Sequence, residues 1–364
     1  MKFIDEFRNA DIARELSNKI RLTLERIGRP VSLMEVCGTH TMAIYRHGIK
    51  SILPSTLKLL SGPGCPVCVT PNRYLDYAIA LSRQDGVIIT TFGDMINVPG
   101  SSSTLVKERA AGADIRTVYS PLDALAIAQQ NPDNKIIFLA VGFETTSPTI
   151  AGTIVEAEQR NVSNFFISCA HKRIPPAMQL LVEDPELHID GFICPAHVSA
   201  IIGSAAYEFL AQDYAKPCVI TGFEPLDVLQ GILMLLQQIL DNKPQVETQY
   251  SRVVKHQGNT TALKLVAEVF VNTDSLWRGL GLVSESGLAL SGAYARYNAE
   301  SVFTVNAEEE REHSGCLCGE VIKGKIEPEA CGLFRNICTP VNPVGPCMVS
   351  QEGTCATHYK YGEA

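Results

Sequence analysis

Apolar residues recur every four positions at Ile12, Leu16, Ile20 and Leu24, which predicts an amphipathic helix over 5–27, stopped by Gly28-Arg29-Pro30. The apolar run 31–36 follows and predicts a buried strand ending at Cys37. Further short apolar runs predict strands at 86–91, 115–119, 135–141, 164–168, 191–194 and 217–221. Helical periodicity lies between them, over 71–83, 104–111, 122–130, 148–160, 175–182, 198–210 and 226–240. Strands alternating with helices predict an α/β fold with mainly parallel sheets. Beyond residue 245 the alternation fades. Residues 262–271 suit a helix or a strand, and 277–297 is glycine-rich and mixed.

Short likenesses recur at predicted strand ends. Residues 87–94 read like 136–144, 36–40 like 193–197, and 140–144 like 220–224. They predict two related α/β halves; chance likeness of strand ends is the alternative. The expected division is 1–120 and 121–245 for two α/β domains and 246–364 for a cysteine-rich C-terminal domain.

The 364 residues are 46% hydrophobic and 19% charged, enough apolar material for a sizeable core and too much for global disorder. The formal net charge is −8, so the basic field of a nucleic-acid binder is missing. The longest apolar stretch, 228–240, contains Gln230, Gln237 and Gln238 and suits a core helix better than a membrane span. The first residues lack an apolar signal region, so a cytoplasmic location is expected. Twelve cysteines in a cytoplasmic chain point to metal, cluster or redox chemistry rather than disulfides.

Those cysteines fall into groups. Cys65-Pro-Val-Cys68 sits in a glycine- and proline-rich loop ahead of a predicted helix, with Thr70 expected as its N-cap and Pro71 as its first residue. Such a pair cycles between dithiol and disulfide or binds a metal. Cys37-Gly-Thr-His40 follows a predicted strand, where doubly wound folds place their ligand crevice, and a tight turn would let Cys and His face it together. Cys194 and His197, with Cys169 and His171, repeat that arrangement, although packed, satisfied residues are the stronger explanation and leave them as crevice-lining candidates only. Asp94 and Glu144 also follow predicted strands, where helix capping is the competing explanation. His197 and Glu224 complete the cleft candidates. Six further cysteines, Cys316, Cys318, Cys331, Cys338, Cys347 and Cys355, crowd the C-terminal segment without a CxxC pair. Zinc sites favour tight pairs, whereas iron–sulfur clusters tolerate irregular spacing. Spacing alone leaves open which thiols are ligands. Residues 319–325 imitate a phosphate-binding loop but carry Ile326 where Ser or Thr belongs, and no GxGxxG occurs.

Taken together, the segments 34–41, 62–68, 91–94, 98–101, 142–146, 195–199, 222–227 and 338–340 resemble the HypD family of nickel–iron hydrogenase maturation proteins, and the likeness covers nearly the whole chain. The resemblance implies two related α/β domains around a central cleft and a third domain holding a 4Fe-4S cluster. It implies a redox-active scaffold on which the Fe(CN)2CO group of hydrogenase is assembled. The partners it implies are a HypC-type chaperone and a HypE-type cyanide donor. The family's cluster spacing, C-x14-C-x6-C-x16-C, would select Cys316, Cys331, Cys338 and Cys355 and leave Cys318 and Cys347 as spares. Its iron-handling thiols map onto Cys37, Cys65 and Cys68. Of these, Cys65 and Cys68 would pass electrons between cluster and iron. His40, Asp94 and Glu144 would hydrogen-bond bound cyanide or a ligand thiol. A cluster-fed thiol–disulfide reductase and a zinc-stabilised binding protein are the competing readings.

Overall fold

The computed structural model describes residues 5–362. The strands are β1 (Val31–Glu35), β2 (Leu57–Ser61), β3 (Val87–Thr91), β4 (Asp114–Thr117), β5 (Lys135–Ala140), β6 (Phe165–Cys169), β7 (Gly191–Pro195), β8 (Cys218–Thr221), β9 (Val246–Thr248), β10 (Phe270–Trp277) and β11 (Gly281–Leu290). β3, β7 and β8 are buried at every position, as expected of parallel strands covered on both faces. The first helix, Ala10–Ile27, starts where the Asn9 side chain accepts two backbone N–H groups and ends at Gly28 with φ 71°. It buries Ile20 and Leu24 and lies against the apolar helix Pro225–Asp241.

Two parallel sheets result. One has the order β2-β1-β7-β8-β9, the other β4-β3-β5-β6, and β10 and β11 form a separate antiparallel hairpin. Each parallel sheet draws strands from both sides of residue 120. β1 pairs with β7 (Met34 beside Phe192), and β3 pairs with β5 (Ile88 beside Ile136). Limits at residues 120 and 245 therefore do not separate the sheets, because a cut at 120 would divide two paired central strands. The likeness of 36–40 to 193–197 joins neighbouring strands of one sheet. That of 140–144 to 220–224 joins strands of different sheets.

Other differences are local. Gly203, at φ 82°, breaks the expected helix 198–210 into Ala196–Ile202, a turn of 3-10 helix and Glu208–Gln212. Residues 260–269 are helical and run directly into β10, so both readings of 262–271 describe part of it. The mixed stretch after Trp277 is the return strand β11. Trp277 is the chain's one tryptophan. It stacks on Phe143 at 5.9 Å and donates from Nε1 to Ser286 Oγ at 2.8 Å. One apolar cluster runs from Met34 and Val36 through Ile89 and Leu139 to Val321, Cys347 and Met348, binding both sheets to the C-terminal segment. No helix among the described residues is long and apolar enough to cross a membrane.

Candidate functional site

In each parallel sheet the chain leaves two adjacent central strands in opposite directions, β1 and β7 in one and β3 and β5 in the other. Such switch points open a crevice beyond the carboxyl ends of the strands. Cys37 and His197 follow β1 and β7; Asp94 and Glu144 follow β3 and β5. The predicted site residues thus sit at two switch points.

At the first, Cys37 is the N-cap of a helix, Gly38–Arg46, so His40 stands on a helix rather than in the expected tight turn. The Cys37 amide donates to Glu35 Oε2 at 2.8 Å, and Thr41 Oγ1 donates to the other Glu35 oxygen. Cys37 Sγ faces His197 Nε2 at 4.0 Å. Burial, followed by the Glu352 and Glu35 carboxylates, pushes the Cys37 thiol up to about 12, so it carries its proton at neutral pH. Burial lowers His197 to about 4 and His40 to about 4, so both rings are neutral. Phe223 lies between them, 4.7 Å from His40 and 5.0 Å from His197 between ring centres. His40 Nε2 lies 3.1 Å from Gly222 O, which can only accept. The Thr221 hydroxyl, which can donate or accept, lies closer to the same nitrogen, at 2.8 Å, while Nδ1 is buried without a partner.

The CxxC loop abuts this crevice. The Gly38 amide donates to Gly64 O at 3.1 Å. A Cβ on Gly64 would overlap the Cys37 backbone, so only glycine lets the two segments meet. The CxxC residues form their own short helix, Pro66–Val69, with Cys65 as N-cap. Thr70 does not cap the next helix as expected. It ends the short one, its hydroxyl donating to Pro66 O at 2.8 Å, and Pro71 caps the helix Asn72–Ser82. Cys65 Sγ accepts from the Cys68 amide at 3.3 Å and from the Cys68 thiol at 2.6 Å. Burial raises the Cys68 thiol well above its ordinary value.

The C-terminal thiols meet the same loop from the other side. The helices Cys318–Ile322 and Pro346–Val349 pack on Pro66–Val69. The Cys347 thiol interacts with Cys318, Cys355 and Cys68, and Cys316 interacts with Cys318. Cys318 and Cys347, spares in the implied ligand set, are therefore the link between the CxxC pair and the remaining thiols. The only sequence signal for this was the surplus of six thiols over four ligand positions.

No three His, Cys, Asp or Glu side chains among the described residues close into a ready-made metal cage. The donor chemistry of Cys316, Cys331, Cys338 and Cys355 nevertheless fits an iron–sulfur group. Cys338 Sγ accepts the Val344 amide at 3.4 Å, the kind of N–H···S bond that stabilises cluster thiolates. Cys331 Sγ points to Gly315 O, the residue beside Cys316, at 3.8 Å.

The other candidates lie further out. Asp94 is exposed and accepts from Ser350 Oγ at 3.2 Å; two residues on, Glu352 accepts from Thr39 at 2.6 Å beside Cys37. Glu144 is buried at the second switch point, where burial raises its carboxyl to about 7. It accepts the Ile174 amide at 2.8 Å and makes no hydrogen bond to Cys37, Cys65 or Cys68. Glu224 points away to Arg8, at 2.6 Å, and anchors the N-terminal segment. Cys194 is packed inside the first sheet against Cys218.

A profile of the family described as HypD, hydrogenase formation hypA family, matches residues 11–362. The chain is 46% identical to hydrogenase maturation factor HypD2 of Bradyrhizobium diazoefficiens, covering 100% of this chain and 97% of that protein. It is 44% identical to the HypD factors of Rhodobacter capsulatus (100% and 99% covered) and Escherichia coli (99% and 98%). On that evidence, and on the thiols its fold gathers, the chain belongs to the HypD family of hydrogenase maturation factors.

Proposed function

We propose that this chain holds a single iron atom as cargo at Cys37 while the Fe(CN)2CO group of nickel–iron hydrogenase is built on it. A HypC-type chaperone supplies a second thiolate, and a HypE-type donor delivers the cyanide. The observation that carries this reading is Cys37 at a switch point, facing a neutral histidine and abutting a dithiol. A thiol raised to about 12 binds iron only by giving up its proton. His197 Nε2 stands where it can take that proton. Thiolates are soft donors, suited to low-spin iron with strong-field diatomic ligands.

Cys65 and Cys68 serve as the local electron store. Forming their disulfide releases two electrons and two protons, and reduction takes both back. The packing of Pro346–Val349, which carries Cys347, on the CxxC helix brings the C-terminal thiols next to this store. A 4Fe-4S group on Cys316, Cys331, Cys338 and Cys355 would supply single electrons. The same thiol array supports a second reading, a thiol–disulfide reductase acting on a small disulfide.

The test is Cys37→Ala co-produced with the two partners. The scaffold reading expects the cyanide and carbonyl infrared bands to vanish from the chaperone complex, with the C-terminal thiols and visible absorbance intact. A variant that still matures hydrogenase removes Cys37 from the role. Disulfide turnover without any iron-carrying complex favours the reductase.

A further inference from the structure

Beyond the carboxyl end of β6, beside the second switch point, lies a cavity of about 540 Å³. None of Cys37, Cys65, Cys68 and His197 lines it. Its walls are Tyr74 and Tyr77 from the helix Asn72–Ser82, Leu276 and Leu288 from the hairpin, and the segment 169–172. A cavity of this size, with apolar walls and a few placed polar groups, has the form of a small-molecule site.

Lys172 is only 3% exposed, yet no carboxylate among the described residues pairs with it. Its Nζ donates to Ser275 Oγ and, at 2.9 Å, to Leu276 O. An ammonium has three N–H groups, and the third finds no acceptor among the described residues. Burial lowers this amine to about 8, and the Arg73 charge pushes the same way. Arg73 also lines the cavity, is exposed, and has no side-chain hydrogen bond or ion pair among the described residues. Two cations thus line one cavity, and neither has a counter-charge. Burying an ammonium without one is costly, and a bound anion would remove that cost.

The remaining titratable groups of the lining narrow the anion. Burial lowers His171 to about 3 and pushes the Cys169 thiol up to about 12, so neither adds charge at neutral pH. Asp274 is held by the Ser284 hydroxyl at 2.9 Å and the Glu285 amide at 2.8 Å. Glu300, its carboxyl raised chiefly by burial, is hydrogen-bonded to neither cation. These two acids repel a second negative charge, so the lining favours a monoanion over a phosphate.

We propose that this cavity binds a small monocarboxylate with an apolar body. The carboxylate bridges the free N–H of Lys172 and the Arg73 guanidinium, and the body lies against Tyr77, Leu276 and Leu288. Neither cation takes part in the iron chemistry proposed above, so the two readings stand or fall separately. Trp277, the chain's one tryptophan, is the reporter, since its ring centre lies 6.0 Å from Lys172 Nζ.

The experiment titrates the full chain at neutral pH with cyclohexanecarboxylate, its uncharged carboxamide and cyclohexyl phosphate. Trp277 fluorescence and saturation-transfer NMR of the ligand are followed independently. The carboxylate should bind at least about tenfold more tightly than either of the others. Arg73→Gln changes an exposed side chain and is expected to fold; it should weaken the carboxylate about threefold to fivefold. Lys172→Met should abolish the preference for carboxylate over carboxamide. Ala307→Phe, at an exposed lining position, should weaken all three ligands by filling space without altering charge. Should Lys172→Met not fold, the Arg73 variant and the ligand series decide alone. Equal affinity for carboxylate and carboxamide, tighter binding of the phosphate, no binding at millimolar carboxylate, or undiminished affinity in Arg73→Gln overturns the proposal.

Discussion

At the scale of single residues, burial decides which thiols and imidazoles are chemically available. Cys37, raised to about 12, holds almost no thiolate at pH 8. In the isolated protein it should alkylate with iodoacetamide at least about a hundredfold more slowly than an unperturbed cysteine. Peptide mapping against time checks this, and rapid labelling would remove the need for His197 as proton acceptor. His171 is lowered to about 3 by burial, and its Nε2 lies 3.2 Å from Thr146 Oγ1. A histidine with a depressed folded pKa gives stability that is present above its unfolded value of 6.5 and lost as pH falls towards 3. The loss is on the order of 4 kcal/mol for this group. Urea midpoints at pH 7 and pH 4 should therefore separate less in His171→Gln than in the parent. Cys37 and His40 stood out as candidates because they follow a predicted strand, and the CxxC because its thiol pair sits in a glycine- and proline-rich loop ahead of a predicted helix. His197 was legible only as a lining residue, since its pairing with Cys37 is made by β1 and β7 lying side by side.

Whole elements were legible where periodicity ran long. The helix ending at Gly28 and the strands flanking Cys37 and Glu144 appear within a few residues of their expected limits. The helix Gly38–Arg46 was hidden because Gly38, Thr39 and Thr41 are weak helix formers that tertiary contacts override. β2 was hidden because it is an edge strand: Lys58 interrupts its apolar run and only Leu57 is fully buried. The close approach of Gly64 to Cys37 makes a prediction at this scale. Gly64→Ala should cost about 1–3 kcal/mol by forcing the CxxC loop away from β1, read as a lowered urea midpoint. Arg278 fastens the hairpin to the CxxC helix through the carbonyls and side chain of 69–72. In Arg278→Met, hydrogen exchange at Val67–Val69 should quicken by tenfold or more, as a buried charged network is broken. Unchanged protection there would show that apolar packing alone holds the dithiol.

Across the whole molecule, the sequence carried the class of fold but not which strands share a sheet. Local pattern identifies a strand; it does not say which other strand will lie beside it. β3 and β5, on either side of the expected boundary, are partners because their buried faces fit, a long-range fact. The shared apolar cluster predicts one cooperative unit. Trp277 fluorescence, which reports the hairpin against Phe143, should change in the same denaturant range as far-ultraviolet circular dichroism. Two separated transitions would show that the C-terminal segment docks independently. The crossing of β1 to β7 also bears on biosynthesis. Cys37 leaves the ribosome early, but its facing histidine and the strand beside it are made only after more than half of the protein. A nascent or truncated polypeptide thus has no finished crevice, and Cys37 meets its facing imidazole only on a molecule synthesised past β7.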